Sequence, residues 1–172
     1  MFSRGRSRQL ETEQELYDIA LRALTRRAHS VVEMQRKLRR YTPNELLVRV
    51  VMARLKERGL LDDARYAQQF ARNRAQSRKQ GQYRIARELR ARGVAEADIS
   101  SAIAASAADS DPAALVRQRI QRKLKSSGRE VDEKQIARIY GSLLRAGFPA
   151  DLIRRELKSL NRKALPAETE SE

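Results

Sequence analysis

Leu61-Asp62-Asp63-Ala64-Arg65-Tyr66-Ala67, an arginine-rich run to Ser77-Arg78-Lys79-Gln80-Gly81, and then Gln82-Tyr83-Arg84-Ile85-Ala86-Arg87-Glu88-Leu89-Arg90-Ala91-Arg92-Gly93-Val94 form the stretch whose reading decides the fold. Asp62 and Asp63 can cap one helix, Gly81 starts a second, and Gly93 can end it in the left-handed conformation. Tyr66, Ala67, Phe70, Ala71 and Ala75 recur at helical spacing in the first helix, and Ile85, Ala86 and Leu89 in the second, so each has one apolar face. Between Ala64 and Gly93 nine Lys/Arg stand against one acid, Glu88. With so few acids in the segment to pair with, these cations are expected to face a polyanion.

The same pattern extends on both sides. Thr12 to Glu15, Ser30 to Glu33 and Thr42 to Glu45 each read as a capping box, the last with Pro43 at the first helical position. They predict a helix burying Leu16, Ile19, Ala20, Ala23 and Leu24, a short one burying Val31, Met34, Leu38 and Tyr41, and one burying Leu47, Val48, Val51, Met52 and Leu55 before Gly59. Beyond Gly93 the periodicity predicts a helix on Ile99, Ala102 and Ile103. A seventh, capped by Asp111 before Pro112, carries Val116, Ile120 and Leu124, and Ser126-Ser127-Gly128 breaks it. The eighth carries Ile136, Ile139, Tyr140 and Leu143 and ends at Gly147; the ninth, after Phe148-Pro149, carries Ile153, Leu157 and Leu160.

Nine helices in threes suggest repeats. A shift of 51 residues places Ser30 on Gly81, Met34 on Ile85, Leu38 on Leu89 and Met52 on Ile103; a further shift of 54 places Ile85 on Ile139, Leu89 on Leu143, Gly93 on Gly147 and Ile103 on Leu157. The expected fold is all-α, with three tandem three-helix repeats over 13–61, 62–110 and 111–161 forming an elongated, curved array. A basic, disordered N-terminus over 1–12 and a polar tail over 162–172, carrying Pro166, are expected to flank it. Repeats near 50 residues bury too little surface to stand comfortably alone, so neighbours are expected to pack against one another.

Composition bounds the function. The 172 residues carry 37 Lys+Arg against 22 Asp+Glu, a net charge of +15 and a pI near 10.9, which point to a polyanionic partner. No apolar run approaches the ~20 residues of a membrane span, and Met1 to Arg6 lead into no apolar signal region, so no membrane is expected and the location is expected to be cytoplasmic. The absence of cysteine removes thiolate chemistry and cysteine-held metals. His29, the single histidine, reads as a turn residue before a helix cap. Tyr66 and Tyr140 fall on apolar stripes and read as core residues whose hydroxyls reach the surface. No phosphate-binding Gly-Lys-Ser/Thr loop or catalytic histidine-carboxylate-serine set is present, so no enzyme, metal or cofactor is expected.

The chain resembles the RecX regulators of the bacterial RecA recombinase. In the first repeat the likeness rests on Ala20-Leu21, Arg27 and His29 to Leu38. In the second it rests on Leu61-Asp62-Asp63, Arg65-Tyr66-Ala67, Arg74, Gly81, Arg84, Glu88-Leu89 and Gly93-Val94, and in the third on Leu143, Arg145 to Phe148 and Ile153 to Leu157. Tyr66 stands where the family often has Phe, and Arg145-Ala146-Gly147 replaces an arginine directly before the glycine. The resemblance implies a protein that lodges on the RecA filament on single-stranded DNA, and the long basic surface without an exposed apolar face leads to the expectation of a monomer. There it would restrain recombinase, ATPase and co-protease activities, within DNA repair, recombination and the SOS response. Arg72, Arg74, Arg78, Lys79, Arg84 and Arg87 are the first candidates to contact filament or DNA, with Arg36, Lys37, Arg39 and Arg40 in the first repeat and Arg154 and Arg155 in the third. A helical module acting directly on DNA, as helix-turn-helix proteins do, is the alternative.

Overall fold

The computed structural model describes residues 12–109, 111–125 and 132–164, with side chains to residue 159. Within them lie nine α-helices and no strand: α1 (Glu13–Arg26), α2 (Val31–Leu38), α3 (Glu45–Glu57), α4 (Asp63–Gln76), α5 (Gln82–Ala91), α6 (Glu96–Ala108), α7 (Pro112–Lys125), α8 (Glu133–Arg145) and α9 (Ala150–Ala164). The basic N-terminus, the Ser126-Ser127-Gly128 break, the Leu160 side chain and the tail with Pro166 lie outside the described residues.

The helix starts follow local chemistry. Thr12 accepts from the Glu15 amide, and Ser30 forms a full capping box with Glu33. Asp132 accepts from the Gln135 amide at 2.6 Å, and Asp111 from that of Ala113 at 2.8 Å. The third box differs from expectation. Asn44, not Thr42, caps α3, because its Oδ1 accepts from both Leu46 and Leu47 at 3.1 Å. Thr42 is buried and receives the Asn44 amide instead, so Pro43 precedes the cap. The two acids at the start of α4 also part ways: Asp62 accepts from the Arg65 amide, whereas Asp63, the first residue of α4, accepts from the Val31 amide at the start of α2, 2.8 Å away.

The chain divides into two compact units, one of Met1–Phe70 with Glu88–Ala102, the other of Ala71–Arg87 with Ile103–Glu172. In the first, α1, α2 and α3 pack on one another around Leu16, Met34, Leu38, Val48, Val51 and Leu55. Tyr17, absent from the expected stripe, is buried with them, its ring 4.1 Å from the Arg54 guanidinium. In the second, α7, α8 and α9 enclose Val116, Ile120, Ile139, Leu143, Phe148 and Ile153.

Each unit contains the same joint. In the first, the N-cap of α2 meets the C-cap of α5: the Ser30 hydroxyl donates to the Arg92 carbonyl at 2.6 Å. In the second, the residue before α5 meets the C-cap of α8: the Gly81 amide donates to the Ala146 carbonyl at 2.8 Å, and the Tyr83 amide to the Gly147 carbonyl at 3.0 Å. The repeat shift that carries Gly93 onto Gly147 also carries Arg92 onto Ala146, so both joints use the same acceptor position. Each thereby satisfies donor and acceptor groups that helix ends leave open.

The joints are tight. A Cβ on Gly81 would fall on the Gly147 carbonyl, and one on Gly147 would fall on the Arg84 backbone. Gly147 has φ +89 and closes α8 through Phe148 N to Leu143 O at 3.2 Å and Gly147 N to Leu144 O at 2.9 Å. Around the first joint, Glu33 faces Arg27 at 3.0 Å, Arg92 at 3.7 Å and the Tyr66 hydroxyl at 3.4 Å. Burial pushes the Glu33 carboxyl up, but Arg27, the Ser30 amide and Arg92 together outweigh it and hold the carboxyl below its ordinary value.

Gly147→Ala is expected to lower stability by about 2 kcal/mol or more, combining left-handed strain with the clash, whereas Gly59→Ala should cost about 1 kcal/mol. Gly59 has φ +64 and open space where a Cβ would stand. Equal losses in urea melts would remove the clash from the account. At Glu33, the stabilising contribution is complete above the ordinary value of 4.5 and is lost as pH falls through the lower folded value. Glu33→Gln should therefore lower stability at pH 7 and flatten the acid limb of a pH–stability curve below about 4.5; an unchanged acid limb would contradict this.

Candidate nucleic-acid interface

Spacing separates the basic residues of α2 and its end from the core. Met34 and Leu38 are buried, leaving Arg36, Arg39 and Arg40 exposed and Lys37 half-buried. Cations here also suit the negative end of the α2 dipole. Arg39 is tied to Glu45 of α3 at 2.9 Å. No ion pair among the described residues engages Arg36 or Arg40.

The six candidates of the central stretch all lie within Ala71–Arg87, the segment that joins the second unit. Arg72 and Arg74 are on α4, Arg78 and Lys79 in the turn, and Arg84 and Arg87 on α5. Lys79 has φ +51, a left-handed turn that is followed by Gln80 N to Arg74 O at 3.1 Å. Arg72 binds Asp109 at 2.8 Å. Arg78 and Arg87 are exposed; Arg74, Lys79 and Arg84 are half-buried. On α9, Arg154 and Arg155 are exposed, and Arg155 lies 3.9 Å from Glu156.

The expected shortage of acids is only partly right, because acids from outside the stretch supply partners. Arg72 takes Asp109, Arg90 takes Glu96 at 2.6 Å, and Arg92 takes Glu33 while its guanidinium lies 4.7 Å from the Phe70 ring centre. The exposed pairs of Arg72 and Arg90 contribute little to stability, whereas the Arg92–Glu33 pair is half-buried.

The second unit assembles something the sequence reading did not single out. Arg78, Gln80, Arg84, Arg119, Ser142, Arg145 and Ala146 line an open hollow of about 580 Å³, with four arginines and no carboxylate among its lining residues. The turn before α5, α5, α7 and α8 each supply one arginine. Arg119 is half-buried. Its Nη2 donates to the Arg78 carbonyl at 3.3 Å, its Cζ lies 5.8 Å from the Phe148 ring centre, and its Nε is buried with no hydrogen-bond partner. Burial lowers its guanidinium below the ordinary arginine value, with Arg122 and Arg84 adding like-charge repulsion. The neighbouring Arg117 is different, being held between Asp111 and Glu156, each at 3.1 Å. A set of planar donors around an open hollow is suited to oxyanions.

Arg119 sits next to Ile120 and three residues after Val116, at the edge of the apolar stripe of α7. A basic residue at a stripe border is the only signal in the sequence for its position, and it leaves the partners unspecified. Arg145 was read only within the family likeness.

Family profiles described as "RecX, second three-helix domain" and "RecX, third three-helix domain" match residues 62–103 and 109–157. The chain is 39% identical to the regulatory protein RecX of Halorhodospira halophila, over 80% of this chain and 83% of that one. It is 38% identical to the regulatory protein RecX of Pseudomonas putida strain GB-1, over 86% and 92%. The crystal structure of RecX from Lactobacillus salivarius superposes with a TM-score of 0.78 at 20% identity, covering 87% of this chain and 97% of that one, which supports the all-helical tandem fold.

If Arg119 is held against its neighbours' charge, Arg119→Met should not destabilise the protein at low salt. The melting temperature is expected to rise by about 2–4 °C, corresponding to ~1 kcal/mol, with the gain shrinking as salt screens the repulsion. A fall in melting temperature that is insensitive to salt would show that Arg119 is a net stabiliser.

Proposed function

The chain belongs to the RecX family of regulatory proteins, and from that premise we propose that it binds the RecA recombinase filament on single-stranded DNA and restrains its recombinase, ATPase and co-protease activities. The observation that carries this reading is the match to RecX regulators through both three-helix domains and over most of each relative. It acts as a monomeric, non-enzymatic regulator in the cytoplasm, in DNA repair, recombination and the SOS response. No described helix is long and apolar enough to cross a membrane. Its repeats run over 13–61, 62–110 and 111–161, successive repeats being linked by the joints at Ser30 and Gly81.

The net charge of +15 supports steering toward a nucleoprotein, and association should weaken as salt rises. Arg36, Lys37, Arg39, Arg40, Arg72, Arg74, Arg78, Lys79, Arg84, Arg87, Arg154 and Arg155 are the candidate contacts. Residues already engaged, such as Arg72 and Arg39, would have to exchange an acidic partner for the target. Arg78 and Arg87 have no ion pair among the described residues and are the stronger candidates.

The DNA-dependent ATPase rate of the cognate RecA recombinase on single-stranded DNA, titrated with this protein, is expected to fall at concentrations well below those that coat the DNA. A fall seen only at DNA saturation would assign the protein to direct DNA binding instead. Charge reversal at Arg78 and Arg87 together should raise the half-inhibitory concentration about tenfold or more, equivalent to ~1.4 kcal/mol, with helicity by circular dichroism unchanged. Unchanged inhibition would remove these two from the interface.

A further inference from the structure

We propose that the hollow lined by Arg78, Arg84, Arg119 and Arg145 is a phosphate-binding site that seats the backbone of a single-stranded nucleic acid. This deepens the filament reading and rests on it for the identity of the strand.

Three observations converge. Four guanidinium groups from four separate segments line one hollow with no carboxylate among its lining residues. Arg119 carries its charge with a buried Nε that has no hydrogen-bond partner, and among the described residues its guanidinium donates only a long bond, 3.3 Å, to the Arg78 carbonyl. The same guanidinium is pushed down by burial and by neighbouring cations, a cost that an incoming anion would offset. An arginine kept only for packing over Phe148 would do as well as methionine. An arginine kept for phosphate needs the fork of donors.

The size of the hollow favours a phosphate backbone over a single carboxylate. Each phosphodiester offers two non-bridging oxygens that share one negative charge, and guanidinium forks bind such a pair, as they do a carboxylate, in bidentate fashion. A hollow of about 580 Å³ is also larger than one carboxylate needs and has room for successive backbone phosphates. Ser142 and Gln80 at the wall add polar side chains beside the arginines. Base stacking is not part of the site, since no aromatic residue is among those lining it. Binding should thus be indifferent to base sequence and strongly dependent on salt.

The experiment is binding of a fluorescein-labelled 25-mer oligothymidine to the full-length protein with no recombinase present, followed by anisotropy over a salt series. Arg119→Gln/Arg145→Gln should weaken binding about tenfold or more and reduce the slope of log affinity against log salt by about 1.4, from ~0.7 for each lost contact on single strands. A charge-matched control, Arg49→Gln/Lys56→Gln on exposed positions of α3, should leave the slope within error of the parent. Arg119→Lys/Arg145→Lys should keep most of the slope and lose part of the affinity, because lysine retains the charge and loses the fork. Should the double glutamine variant not fold, Arg145→Gln alone carries the test, because Arg145 is exposed and its side chain has no ion pair among the described residues; its expected slope change is about 0.7.

An unchanged slope in the glutamine variants, or an equal loss in the α3 control, overturns the site. Retained DNA binding together with lost binding to a labelled polyglutamate 25-mer also overturns it, assigning the hollow to an acidic protein partner. The recombinase ATPase is read separately on the same variants. Inhibition with unchanged DNA binding would sink the phosphate site and leave the filament reading standing. Lost DNA binding with no inhibition even by the parent protein would do the reverse.

Discussion

The backbone joint between Gly81 and the end of α8 is the constraint on which the second unit depends. A helix of ten residues such as α5 begins with amides that have no partner within it, and α8 ends with carbonyls in the same condition. Bringing the two ends together satisfies two amides and two carbonyls at once, through Gly81 to Ala146 and Tyr83 to Gly147. The approach is so close that neither glycine has room for a side chain. The first unit repeats the device with Ser30 and Arg92, where a hydroxyl replaces the amide as donor. Small helical repeats bury too little alone, and a joint recurring at equivalent positions ties each to the next.

This explains how the middle repeat is divided. Its Gly81 end belongs with α7, α8 and α9, while its Arg92 end belongs with α1, α2 and α3. The arginine-rich segment is thereby delivered entirely to the second unit. Because Gly81 is held against Ala146, the turn at Arg78 and the first turn of α5 come beside α7 and α8. Four arginines meet there as a consequence of a neutral backbone contact. Arg119 is disfavoured there by burial first, and by like-charge repulsion from Arg122 and Arg84.

Charge elsewhere is disposed differently. Glu33 sits under Arg27, Arg92 and the Tyr66 hydroxyl, so the first joint is neutralised and rigidly hydrogen-bonded. Asp63 adds a carboxylate to the α2 amides, although burial pushes its carboxyl up and the Val31 amide offsets this only in part. His29 lies in the same turn, its Nδ1 2.9 Å from the Arg27 carbonyl, and its pKa is lowered chiefly by burial. The two joints share a geometry, then, but one is lined by compensated charge and the other by arginines without acids in the hollow.

Much of the fold was legible in the sequence because its signals are local. Capping residues lie within four positions of the amides they serve, apolar stripes repeat every turn, and Gly59, Gly93 and Gly147 mark chain reversals that need positive φ. The repeat shifts even placed Ser30 on Gly81 and Gly93 on Gly147, the positions that later proved to form the joints. Local rules failed where a side chain had a choice: Asn44 displaced Thr42 at the α3 cap, and Asp63 left its own helix for α2. Partners far apart in sequence were invisible, including Asp109 for Arg72 and Glu33 for Arg92. By itself, then, the sequence determined the helices, their threefold recurrence and the excess of positive charge, all of which depend on composition and short-range spacing. Only the tertiary structure decided which arginines meet acids far away in sequence and which converge on one hollow, because that depends on which helix ends close on one another.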